Sequence, residues 1–252
     1  MQTSNRPPST GASLPPSPAA PQAIPSPTPP ARGGWLAQFF RSSIGKKYLM
    51  AITGLLLVGF LVVHLAGNFL LYVGDGAKFT AYARGLHDLG PLLWLAELGL
   101  VALFGLHIGF AVRTILDNRK ARPQRYAVAN SRGAKTFASA TMPLTGAVVL
   151  FFVLVHLWHF RLDDAFKGDD PAGLVRDTLA SPLVALIYLV GVGALTVHLS
   201  HAIQSALQTL GLDHPNFTPI RAKLGIGLAV ALGLGFASFP VYALIAWGGG
   251  NS

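Results

Sequence analysis

Six histidines lie inside long apolar stretches of the chain: His64, His107, His156, His159, His198 and His201. An ionisable group at membrane depth is costly and persists mostly where it faces a cavity, a proton path or a cofactor. One such histidine more often hydrogen-bonds a neighbouring carbonyl. Four consecutive apolar stretches that each carry one favour shared ligation. Neutral imidazole binds Fe, Zn, Cu and Ni. Zn, Cu and Ni sites usually add carboxylate or sulfur donors, yet the stretches around His64, His156 and His198 hold no Asp, Glu or Cys, and Met142 is far from His156. Haem b needs two axial imidazoles and an apolar slot. The chemistry this pattern points to is therefore two bis-histidine b haems, with iron held through His64, His107, His156 and His198. The absence of Cys excludes disulfides, iron-sulfur clusters held by this chain and covalently attached c-type haem.

The elements that must carry these histidines are transmembrane helices. The chain has 252 residues, of which 52% are hydrophobic and 12% charged, against about 25% charged in globular proteins. Charge-free windows run over Tyr48 to Gly74, Thr136 to Phe160, Thr178 to Leu212 and Leu224 to Ser252, and Leu89 to Val112 is broken only by Glu97. Each reaches the roughly 20 apolar residues needed for one crossing. The expected architecture is an all-α membrane protein: five transmembrane helices in a bundle, running from about Lys47 to Val73, Pro91 to Leu116, Ala138 to Phe160, Pro182 to Leu210 and Lys223 to Trp247. Pro91 and Pro182 fall at helix starts, where a missing N–H is harmless.

Charge sets the orientation. A cytoplasmic N-terminus places Arg6, Arg32, Arg41, Lys46, Lys47, Arg113, Arg119, Lys120, Arg122, Arg125, Arg132, Lys135, Arg221 and Lys223 inside. Lys78, Arg84, Arg161, Lys167 and Arg176 remain outside, the last three beside five aspartates. The positive-inside rule then gives N-in, C-out. This one-sided distribution argues against nucleic acid as the partner of a chain with net charge +9. Residues 1–40 form a Pro-rich tail, expected to be disordered and cytoplasmic, with no apolar h-region of a signal peptide. Residues 41–252 form the haem-binding domain.

Depth suggests the pairing. His156 lies four residues before the outer end of the third helix and His64 ten before Gly74, roughly 6 and 15 Å by helical rise; the gap closes if the first helix tilts or ends near Gly67. His64 and His156 would form an outer pair, His107 and His198 an inner one. His201 shares the face of His198 and is the second choice for ligation, or a propionate or quinone contact. His159 beside Arg161 reads as an interfacial, propionate-facing group. Glu97 is the chain's single Glu. Near the outer end of the second helix, it is the candidate catalytic group for quinone-linked proton transfer; the alternative is a carboxyl that bonds a neighbouring helix or reaches Arg84 or His87.

Several segments together resemble one family, the dihaem cytochrome b membrane anchors (b558 type) of succinate dehydrogenase and fumarate reductase. They are Ser42-Ser43-Ile44-Gly45-Lys46-Lys47 leading into Met50-Ala51-Ile52-Thr53-Gly54, His64-Leu65-Ala66-Gly67-Asn68, His107 with Gly109, Val155-His156-Leu157-Trp158, and His198-Leu199-Ser200-His201. The resemblance covers residues 40–247. It implies a multi-pass subunit of the bacterial cytoplasmic (inner) membrane that holds two b haems. It also implies cytoplasmic flavoprotein and iron-sulfur partners, which would act on the dicarboxylate, and exchange of electrons with quinone, menaquinone in most of the family. By the resemblance, His64 and His156 are ligands of the outer haem, and His107 and His198 of the inner haem. Seven Lys and Arg between the second and third helices could dock these partners or meet anionic lipid. Two other readings use the same histidines: the cytochrome b anchor of another respiratory oxidoreductase, and a His-based metal or proton transporter.

Overall fold

The computed structural model describes residues 34–121 and 137–247. The Pro-rich residues 1–33 and the basic residues Arg122, Arg125, Arg132 and Lys135 lie outside them. The described residues include eight α-helices: α1 (Trp35–Arg41), α2 (Ser43–Phe69), α3 (Ala77–His87), α4 (Pro91–Ala121), α5 (Phe137–His156), α6 (Pro171–Ala180), α7 (Pro182–Thr209) and α8 (Thr218–Tyr242). No strand occurs among the described residues. Five helical stretches are long and apolar enough to cross a membrane: Ser43–Tyr72, Pro91–Lys120, Thr141–Arg161, Pro182–Thr209 and Thr218–Ala246. Three short helices join the expected five. α1 occupies the last residues of the segment expected to be a disordered tail, after the prolines have ended; its exposed Trp35, Leu36, Phe39 and Phe40 give it an apolar surface without a core. α3 and α6 each precede a long helix.

Local chemistry sets the ends. The Ser42 hydroxyl accepts from the Gly45 N–H at 2.9 Å and caps α2, satisfying a donor that has no partner within the helix. Asp170 caps α6 in the same way, and Pro91 and Pro182 open α4 and α7. Between α2 and α3 the chain reverses through Gly74, Asp75 and Gly76, all at positive φ. The Arg176 guanidinium of α6 ties this turn by pairing with the Asp75 carboxylate at 2.9 Å. After α7, Arg221 holds the turn through the Leu212 carbonyl and Asp213. Hydrogen bonds from Gln208 and then Arg221 hold the Asp213 carboxyl below its ordinary range.

The long helices pack side by side. α7 lies along both α8 and α5, and α2 packs on α4 and α7. Small residues permit the close approaches: a Cβ at Gly191 would collide with the Phe152 ring of α5, and one at Gly233 with the Thr196 side chain of α7. Most remaining large apolar side chains of α4 and α5 point outward, among them Leu95, Leu98, Val101, Phe151 and Leu154, as a lipid-facing surface does.

Candidate functional site

The rings of His64 on α2 and His156 on α5 meet at a centroid separation of 5.8 Å, nearly perpendicular at 89°. The expected depth mismatch narrows: the helical stretch of α2 ends at Tyr72, eight residues after His64, and a π-helical turn over Leu157–Arg161 carries the α5 segment five residues past His156. Aromatic rings enclose the pair. Phe60 stacks on His64 at 5.3 Å and Phe236 of α8 lies at 5.9 Å; Phe152, Phe160 and Tyr188 surround His156 at 6.1, 5.2 and 6.1 Å.

The second pair lies one layer away. His107 of α4 rests against Gly54 of α2, and His198 of α7 rests against Gly146 of α5. Both glycines are ten residues before the facing histidine of their own helix, so the layers are separated by about 15 Å along the helices. Thr53 Oγ1 lies 3.2 Å from His107 Nδ1, and Thr145 Oγ1 lies 3.3 Å from His198 Nδ1. His198 is within electrostatic reach of both His107 and His201.

The spacing of the first pair fits the two axial imidazoles of a haem b. Two imidazoles holding one metal from opposite sides, each with a bond of roughly 2 Å, have ring centres about 6 Å apart, near the 5.8 Å of the first pair. No group of three His, Cys, Asp or Glu suited to a metal ion occurs among the described residues, so what the arrangement offers is paired imidazoles in an aromatic setting. His64, His156, His107 and His198 are the residues that could hold such a group.

The other candidates take definite places. His159, half-buried, stacks on the buried Tyr188 at 5.8 Å with its Nδ1 3.3 Å from the phenol oxygen. His201 lies one turn beyond His198, half-buried, and makes no hydrogen bond to a described residue. Glu97 receives two hydrogen bonds from Arg161, at 2.6 and 2.8 Å, and the guanidinium lies 5.5 Å over the Trp94 ring. This is the expected alternative of a carboxyl bonded to a neighbouring helix; Arg84 pairs instead with Asp169, while His87, whose ring bonds the Ala83 carbonyl, lies within electrostatic reach of Glu97. The wider π-helical turn places Arg161 against α4.

Sequence reasoning gave no role to the threonines. The signal was an internal repeat: Met50-x2-Thr53-Gly54-x5-Phe60-x3-His64-Leu65 recurs as Met142-x2-Thr145-Gly146-x5-Phe152-x3-His156-Leu157, and Pro91-Leu92-x14-His107 recurs as Pro182-Leu183-x14-His198. Each copy is a long helix, a short helix and a long helix, α2-α3-α4 and α5-α6-α7. Self-similarity of this kind identifies equivalent positions directly. It makes Thr53 the counterpart of Thr145, and Glu97 that of Tyr188.

No protein-family model matches this chain, and no solved structure matches it. Among characterised proteins, the chain is similar to the succinate dehydrogenase cytochrome b558 subunit of Bacillus subtilis (strain 168), with 24% identity over 174 residues that span 66% of this chain and 79% of that subunit.

Proposed function

We propose that this chain is the membrane-anchor cytochrome b subunit of a succinate:quinone oxidoreductase, a complex II. The observation that carries the reading is the placement of four histidines, from four helices, as two pairs in two layers. Similarity to a succinate dehydrogenase cytochrome b subunit supports it. Haem b held in each layer would supply one-electron transfer between quinone and cytoplasmic flavoprotein and iron-sulfur subunits. The five helices form a bundle in the bacterial cytoplasmic membrane with the N-terminus inside, residues 41–252 being the haem-binding domain. His64 and His156 then face the outer haem, His107 and His198 the inner one, and menaquinone is the membrane substrate.

The chain's own residues orient and enclose. Phe60, Phe152, Phe160 and Phe236 exclude water from the outer pair, while Thr53 and Thr145 bond the inner one. Glu97, held by Arg161 at the outer rim, exchanges the protons that quinone chemistry requires, and dicarboxylate chemistry belongs to the partner subunits. Lys46 of α2 and Asp117 of α4 form an ion pair that joins these helices at the inner end.

Affinity purification of the tagged chain from its membrane tests the assignment. The expected product carries a flavoprotein and an iron-sulfur subunit and shows a b-type α band in its reduced-minus-oxidised spectrum. A chain that purifies without such partners, or without that band, contradicts it.

A further inference from the structure

The inner pair differs from the outer in its hydrogen bonding. Thr53 and Thr145, 6% and 9% exposed, are the buried polar side chains among the described core residues. Each hydroxyl donates back to its own helix: Thr53 to the Leu49 carbonyl at 2.7 Å, Thr145 to the Thr141 carbonyl at 3.1 Å. With that proton engaged, the hydroxyl oxygen meets the imidazole as an acceptor, and the ring nitrogen must be the donor. Each ring also lies flush on the neighbouring backbone, since a Cβ at Gly54 or Gly146 would stand 3.1 or 3.4 Å from its Cε1. The arrangement occurs twice, once in each copy of the repeat. By contrast, the rings of His64 and His156 have aromatic neighbours and no hydrogen bond to a described residue.

We infer that Thr53 and Thr145 are positioning residues for the inner haem: they hold His107 and His198 as Nδ1–H tautomers, turn Nε2 toward the iron and strengthen both imidazoles as donors. This rests on the haem reading above. An acceptor on the far nitrogen fixes the orientation of a ligating histidine and raises its basicity, and a stronger donor favours the ferric state. The two haems are thereby made unequal, the inner one tethered by hydroxyls and the outer one caged by rings.

The test uses the purified complex with Thr53→Val and Thr145→Val, singly and together, and the corresponding serine variants, each titrated potentiometrically by its difference spectrum. The double valine variant is expected to keep two haems and shift only the component that His107→Ala removes, toward reduction. The expected change in its ferric-to-ferrous balance is about tenfold, or about 59 mV for one electron. Serine restores the wild-type value. Loss of the inner haem with valine and its retention with serine carries the same conclusion. Unchanged midpoints, movement of the outer component, or equal effects of valine and serine overturn the inference while leaving the haem assignment standing. Absence of haem in the wild-type complex overturns both.

Discussion

His64→Ala and His156→Ala are each expected to abolish one and the same haem component, and His107→Ala and His198→Ala to abolish the other. The effect is complete loss of one component, because a bis-histidine haem loses half its axial ligation with either residue. The 5.8 Å approach of His64 to His156 underlies the first pair, and the repeated packing of His107 and His198 on Gly54 and Gly146 the second. Low-temperature difference spectra of the four variants check it. If His64→Ala and His107→Ala remove the same component, the pairing is wrong. If His198→Ala leaves both components and His201→Ala removes one, the ligand on α7 is His201.

Glu97→Gln is expected to lower quinone-linked turnover by roughly 100-fold, the ordinary scale of a lost acid-base group. Both haem spectra and succinate oxidation with an artificial acceptor should be unchanged. Glu97 is a carboxylate paired with Arg161 at the rim of the outer layer. Glutamine retains the shape and one acceptor, but it cannot exchange a proton. Arg161, 30% exposed, keeps access to water in the variant, so an uncompensated buried charge does not dominate the outcome. Unchanged quinone turnover rejects the catalytic role. Loss of a haem in Glu97→Gln shows instead that the pair with Arg161 is structural.

The five membrane-length helices were legible because each needs only an apolar run, and Pro91 and Pro182 marked two starts to the residue. The ends were less so. Gly74 read as the end of the first helix, whereas the α-helix stops at Phe69 and the chain continues through a 3-10 turn over Leu70–Tyr72. Hydropathy does not register a change of hydrogen-bonding pattern inside an apolar run. For the same reason the π-helical turn after His156 was invisible, and with it the reach of Arg161 to Glu97. α3 and α6 escaped because they are too short to cross a membrane and lie in the connections between the expected helices, and α1 because it lies at the end of the segment expected to be a disordered tail. The histidines stood out by type against an apolar background. Thr53 and Thr145 did not, since a threonine inside a membrane helix usually bonds only its own backbone; comparing the two halves of the chain would have singled them out.

Pyridine haemochrome determination on the purified complex, with the polypeptide quantified in the same sample, decides whether one chain holds two bis-histidine haems. Close to two protohaems per chain are expected; one or none overturns the assignment.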